Sequence, residues 1–424
     1  MLFKNIDILM PDFSIIENGY VVTSNDTITY IGKSKPEYIN KTSIYEGKNK
    51  LLIPGFINTH CHAPMTLLRG AGNDLPLSKW LFESIFPIEK KLTSSDIYYG
   101  AMIGIAEMIQ CGVTSFSDMY YNCESTIKAV VESGISANIS HSVSVFNNND
   151  LKTIDTAKDI YDCFNGIDNN RILVDFCLHS EYTTTPESVD KIIDLAITND
   201  TSIQLHLSET LKENEECYKR HKMTPVEYFN SHGLFDVNVT AAHCVYLSEN
   251  DISILKGKSF SVAHCPISNL KLGSGFADII KLKNNNLNIT IGTDGASSND
   301  NLNYIEDIKI AALLQKGIHQ NPAIIETNDI LKMATKNGAK SQKRNDTGEI
   351  KVGNMADLAI INYNCDNLIS SMDKKSALIY SAQPKNIEMT MCRGKIVYEK
   401  GDFKTIDIEK ILYNAKKINT RIKE

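Results

Sequence analysis

The chain has 424 residues, 42% of them hydrophobic and 22% charged, with a formal net charge of -7 and a pI near 5.9. These are ordinary values for a soluble globular protein of two or three domains, and the lack of a basic footprint argues against a nucleic-acid binder. No apolar run approaches the ~18 residues of a membrane span. Asp7 and Asp12 do not suit a cleavable leader, and the ten cysteines form no C-x-x-C pair, so a reducing cytoplasm is the expected location.

The first ~50 residues alternate short apolar runs with turn residues (IDILM, YVVTS, ITYIG) and read as antiparallel strands. From Leu51 the pattern changes. Strand-like runs LLIPGFINTH, GVTSFSDMY, ISANISHSVSV, RILVDFCLHS, SIQLHLSE, VNVTAAHC, SFSVAHCP and NITIGTDG alternate with helical stretches such as SSDIYYGAMIGIAEMIQ and PESVDKIIDLAIT. Eight parallel strands with intervening helices predict an α/β fold, a closed (β/α)₈ barrel. After Gly353 strand signals return in ADLAIIN and in RGKIVYEKGDF, a hairpin, and the chain finishes in an amphipathic helix near Ile406–Lys423. The two β-rich ends are expected to pair as one small domain, residues 1–54 with 352–424, beside a barrel of residues 55–351. Asn147–Asn149 and Asn284–Asn286 read as loops.

Polar residues gather at the strand ends, where barrel active sites lie. Strand one ends in His60 and His62, strand four in His179, strand six in His243, strand seven in His264 and strand eight in Asp294. Strand five carries His206, with Glu209 three residues on. Strand side chains alternate faces, so His60 and His62 point together into the barrel mouth and Cys61 points away. His206 and Asp294 can complete a site for one divalent cation, and three imidazoles with a carboxylate suit Zn²⁺ or Fe²⁺. Such a cation lowers the pKa of bound water to about 7. Glu209 is then placed to carry a proton to a leaving group, and His243 to orient the nucleophile. His221, His232 and His319 read as solvated; His141, in strand three, is open.

The motifs PGFINTHCHAPMTLLRG, FPIEKKLT, HLSET, AHCVYL, AHCPISNLKLGSG, GTDGASSNDNLN and VGNMADLAIIN resemble the amidohydrolase superfamily, and within it the 5-methylthioadenosine/S-adenosylhomocysteine deaminase group. The resemblance covers nearly the whole chain. It implies a distorted (β/α)₈ TIM barrel with a small β-sandwich domain formed by both termini, and one metal rather than two, since RILVDFCLHS has no lysine. It implies His60, His62, His206 and Asp294 as ligands, with Zn²⁺ ahead of Fe²⁺. Glu209, His243 and Asp294 would be catalytic. Glu89 would hold ribose hydroxyls, His179 would stand near the purine ring, and Trp80 would line the pocket. The implied reaction is hydrolytic deamination of an adenosine derivative to the inosine derivative and ammonia, by a homo-oligomer acting on a small nucleoside without nucleic-acid or membrane partners.

Relatives that accept S-adenosylhomocysteine grip its carboxylate with arginines near strand three. Between Lys91 and Asn170 this chain has none, and His141 stands near the expected place. An uncharged 5′ substituent is therefore expected: 5′-methylthioadenosine, 5′-deoxyadenosine or adenosine. The alternative substrate is a free base or other N-heterocycle, such as guanine, cytosine, a pterin or a triazine. His179-Ser180-Glu181 matches the H-x-E of cytidine deaminases, but their P-C-x-x-C is missing. A scaffold that has lost its metal site does not suit a chain with every ligand position filled.

Overall fold

Each of the eight apolar runs assigned to the barrel forms a strand in the computed structural model, which describes residues 1–37, 43–145 and 151–423. The Asn147–Asn149 stretch lies outside the described residues. In chain order the strands are β1 (Leu2–Leu9), β2 (Ile15–Ser24), β3 (Thr27–Gly32), β4 (Ile44–Glu46), β5 (Lys50–Pro54), β6 (Phe56–His62), β7 (Val113–Tyr120), β8 (Ser136–His141) and β9 (Ile172–Leu178). They continue with β10 (Ser202–Leu207), β11 (Asn238–His243), β12 (Phe260–His264), β13 (Asn288–Ile291), β14 (Asp294–Gly295), β15 (Leu358–Asn362), β16 (Ile387–Cys392), β17 (Lys395–Glu399) and β18 (Asp402–Phe403).

Strands β6 to β13 pair in sequence, all parallel. The run NITIGTDG breaks at Gly292-Thr293. Its first half, β13, stays on β12, while its second half, β14, pairs with β6 and closes the barrel. Glycine permits that crossing, because a Cβ at Gly292 would stand 2.9 Å from the Cβ of His60. Strands β6 and β7 are buried along their whole length. That burial on both faces explains their near-continuous apolar character. Helices cover the outside, and two of them have the predicted bounds, Ser94–Gln110 and Pro186–Thr198. Each opens on a capping box, Thr93 with Asp96 and Thr185 with Ser188, which satisfies amides the first turn leaves free.

The run LLIPGFINTH is two strands. β5 belongs to a second sheet and β6 to the barrel, and the chain passes between them at Gly55, where a Cβ would lie 2.1 Å from Thr114 Oγ1. The second sheet has the order β18-β17-β16-β15-β5-β1-β2-β3, with β4 also on β1. β1, β2 and β3 form the expected antiparallel meander, while β4 and β5 lie parallel to β1. Val21 and Ile28 from one end of this sheet share a core with Met389 and Met391 from the other, and the β16–β17 turn meets the β2–β3 turn, where a Cβ at Gly394 would lie 1.9 Å from the Asn25 carbonyl oxygen, so the sheet folds over itself as a sandwich. β17 and β18 form the predicted hairpin. The terminal helix, Ile408–Lys423, buries Ile411, Ala415, Ile418 and Ile422. Its i, i+4, i+7, i+11 stripe packs on the barrel through Leu67 and Ile103. Asn284 closes the helix Ile279–Asn284 and Asn286 turns at a positive φ of 62°. No described helix is long and apolar enough to cross a membrane.

Candidate active site

All the barrel strands run in one direction, so their C-terminal ends share one mouth. There His60, His62, His206, His243 and Asp294 come together. One ligand atom each from His60, His206, His243 and Asp294 lie within 4.8 Å of one another. His62 Nε2 stands 3.2 Å from Asp294 Oδ1 and 3.3 Å from His206 Nε2, and His60 Nε2 is 3.5 Å from Asp294 Oδ1.

The imidazoles are aimed from behind. His62 Nδ1 meets the Met119 carbonyl at 2.6 Å, and His206 Nδ1 meets the His179 carbonyl at 2.8 Å. A carbonyl only accepts, so each Nδ1 is assigned the proton and each Nε2 offers a lone pair. Two such lone pairs then face each other at 3.3 Å, while buried His60 Nε2 has no hydrogen-bond partner. An arrangement of lone pairs and a carboxylate with nothing between them is repulsive until a cation is shared. Ligand atoms ~3.3 Å apart are what a tetrahedral ion with bonds of about 2.0–2.1 Å requires. Asp294 turns Oδ1 to the cluster, while Ser268 and Ser298 hydroxyls occupy Oδ2 at 2.6 and 2.9 Å. The donor set fits a divalent metal ion.

Electrostatics follow from burial. Desolvation pulls His60 down to about 4 and His206 well below its ordinary value. Desolvation also opposes protonation of His62, but the hydrogen bond and charge of Asp294 outweigh it and lift the group to about 9, so a proton on Nε2 competes with a cation for that lone pair. Asp294 is held well below the carboxylate range. Its own burial acts the other way and is overcome by His60 and His62. Burial raises Glu209 and pushes Glu89 up to about 7.

His243 reaches the site by backbone strain. In the β10–β11 register His206 pairs with Ala242 and His243 with Leu207, so plain alternation would turn His243 to the Leu207 face, into the apolar core. Instead His243 adopts φ +72° and Asp294 φ +60°, a conformation uncommon outside glycine that marks functional positions. Asn269 Oδ1 holds His243 Nδ1 at 2.8 Å, and Nε2 stands 3.8 Å from Glu209 Oε2.

A cavity of about 660 Å³ opens over this cluster, lined by His62, His179, His206, Glu209, His243 and Asp294 at its base and by Trp80, Leu81, Phe86, Tyr121 and Leu272 above. Trp80 sits on a π-helical turn, Trp80–Ile85, a local widening frequent at functional sites, and its indole donates to the Ala71 carbonyl at 3.2 Å. Glu89 lines the same cavity and accepts from the Tyr120 hydroxyl at 2.6 Å. His179 lies against His206, with ring centroids 4.7 Å apart.

His141 is different. It ends β8 but does not line the cavity, and its Nδ1 faces the Cys123 thiol at 3.8 Å. Ser142 and Ser144 line that wall. His264 is buried outside the cavity. Glu181 of the H-x-E match turns away to pair with Arg220 and His221. His221, His232 and His319 are not simply solvated: each meets a carboxylate, Glu181, Asp190 and Asp278 respectively. Sequence reasoning gave no role to Tyr120, Glu213, Lys90, Ser268, Asn269 or Ser274. The last three lie within AHCPISNLKLGSG, a motif read only as a resemblance, and their polar spacing after a strand end was the available signal.

A parallel barrel with imidazoles and a carboxylate converging at the mouth defines a metal-dependent hydrolase. Residues 51–397 match the amidohydrolase family, and the chain belongs to that family. It is similar to a 5-methylthioadenosine/S-adenosylhomocysteine deaminase of Acetivibrio thermocellus, 40% identical over 100% of this chain and 99% of the relative. It is likewise similar to a 5′-deoxyadenosine deaminase of Methanobrevibacter smithii, 40% identical over 100% and 98%. Among solved structures, an adenosine deaminase from Xanthomonas campestris with bound zinc superposes with a TM-score of 0.95 at 27% identity, over 100% of this chain and 98% of that one.

Proposed function

We propose that this enzyme hydrolytically deaminates an adenosine derivative with a small uncharged 5′ group, releasing ammonia and the inosine derivative. His60, His62, His206 and Asp294 would hold one divalent ion, Zn²⁺ ahead of Fe²⁺, which when bound would supply a water-derived nucleophile at neutral pH. Glu209, whose burial favours the protonated carboxyl, delivers a proton to the purine ring nitrogen beside the carbon under attack. His243 Nε2, 3.8 Å from Glu209 Oε2, takes up a proton from the nucleophile with Asp294 assisting, and that proton passes to the exocyclic amino group, which leaves as ammonia. The observation that carries the reading is that Glu209 and Glu89 line one cavity. Glu209 can serve the ring. Glu89, with Oε1 engaged by Tyr120 and Oε2 open, suits ribose hydroxyls, for which a free base has no counterpart.

The 5′ group follows from the wall. Leu77, Phe82, Phe86 and Leu272 are apolar, and among the described residues Lys90 is the one lysine or arginine of the lining; it is exposed. That favours a methylthio or methyl group over an amino-acid carboxylate, which calls for a planar bidentate partner. The ten free cysteines suit a cytoplasmic enzyme. The test is ammonia release by the metal-loaded protein over a panel of nucleosides and bases. Turnover of 5′-methylthioadenosine and 5′-deoxyadenosine is expected, with a higher kcat/KM than for S-adenosylhomocysteine. Guanine or cytosine matching the nucleosides would overturn the assignment.

A further inference from the structure

Glu209 lies two residues beyond the last residue of β10, where no strand holds it. Two contacts from elsewhere do. Glu213, in the first turn of the helix Leu211–His221, accepts the Ser208 amide on Oε1 at 2.9 Å and the Glu209 amide on Oε2 at 2.7 Å. A carboxylate that takes two successive amides fixes the orientation of both peptides. Ser208 accordingly stays at φ +50°, a conformation serine keeps only when its surroundings impose it. The Ser208 carbonyl is fixed as well, accepting the Val245 and Tyr246 amides, each at 3.0 Å.

Helix capping does not account for Glu213. Thr210 is the N-cap and accepts the Glu213 amide at 3.1 Å. In a capping box the glutamate at this position would reach back to the N-cap amide. Glu213 bypasses Thr210 and takes the two preceding amides instead. The second contact comes from the segment after β12, where the Ser274 hydroxyl donates to Glu209 Oε1 at 3.1 Å. Gly275 presses that segment onto the loop after β11, since a Cβ there would lie 2.9 Å from the Tyr246 hydroxyl. Ser208, Glu209, Glu213 and Ser274 are all buried.

We infer that Glu213 and Ser274 are positioning residues that aim Glu209 and leave Oε2, the oxygen facing His243, to carry the transferred proton. The inference rests on the reading of Glu209 as proton carrier. With Ser274 donating to Oε1, that oxygen serves as acceptor and its partner holds the hydrogen.

The test is steady-state and single-turnover kinetics of the metal-loaded full chain on 5′-methylthioadenosine, for Glu213→Gln and Ser274→Ala, each alone and combined with Glu209→Gln. Each single variant is expected to lower kcat about 10- to 100-fold, the scale of losing a charge-assisted hydrogen bond, with KM within about twofold and metal content unchanged. Ser274→Thr restores most of kcat. On top of Glu209→Gln, neither change costs more than about twofold, because residues acting through one group are not additive. A kcat within twofold of the unaltered enzyme for both variants overturns the inference, as do losses that multiply in full with Glu209→Gln. Near-normal turnover by Glu209→Gln alone overturns the underlying reading, and the inference with it. If Glu213→Gln does not fold, the Ser274 pair decides.

Discussion

The barrel has a buried polar cluster at each end, and the two differ in whether their atoms find partners. At the closed end Arg344 is buried and donates to Asn138 Oδ1 at 3.0 Å and to the carbonyls of Ala137, Asn170 and Arg171 at 2.8 to 3.0 Å. Gln342 bridges Ser115 and Ser117, and Asp175 accepts from Asn138 and Gln204. In that cluster only Gln204 Oε1 lacks a partner. At the mouth, His60 Nε2 has none, and His62 and His206 present lone pairs to each other. Burying polar groups is costly at both ends. Saturated groups recover that cost as structure. Unsaturated groups aimed at one point recover it only when something binds there.

Breaking the mouth should therefore remove activity, and breaking the closed end should remove stability. The largest effect is expected from Asp294→Asn or from chelation: a fall in kcat of more than about 10³-fold, followed by ammonia release and metal analysis. Glu209→Gln comes next, with kcat lower by about 10²–10⁴-fold and metal content unchanged. At the other end, Arg344→Leu leaves several carbonyls unpaired. It should cost about 2–4 kcal/mol in denaturant unfolding while kcat per folded molecule stays within about threefold. A large loss of kcat without loss of stability would erase the distinction between the two ends.

The smallest effect sharpens the comparison. Glu89 is pushed up by burial from 4.5 to about 7, against the Tyr120 hydrogen bond. In the proposed binding mode ribose hydroxyls donate to its ionised form, so KM for nucleosides should fall as pH rises through about 7. The contribution to stability has the opposite sign. The folded chain keeps a proton that the unfolded chain releases above 4.5, so stability declines between 4.5 and about 7. Glu89→Gln should raise KM about tenfold and flatten both profiles, read by kinetics and by melting across pH.

Much of this was legible along the chain. Strand periodicity and alternating helices announced the barrel, and imidazoles at strand ends placed the site, because parallel strands deliver their C-termini to one face. His60 and His62 followed from alternation alone. His243 did not: its place depends on a positive φ that its identity gives no sign of. His141 ends a strand too but is not among the residues lining the cavity, because a strand-end histidine points to either side of a barrel wall. The two halves of LLIPGFINTH were fused because both are apolar and only pairing partners separate them.

What the residues determined by themselves was the kind of fold and the presence of imidazoles and a carboxylate at its strand ends, since both rest on local patterns: periodicity two against 3.6, and residue type at a strand terminus. Tertiary structure alone decided which nitrogen of each imidazole faces the centre, which oxygen of Glu209 is left open, and which polar cluster is spent on holding the barrel together. Those outcomes depend on partners far apart in the chain, such as Met119 for His62, Asn269 for His243 and Ser274 for Glu209. No local pattern encodes a contact that exists only once the barrel has closed.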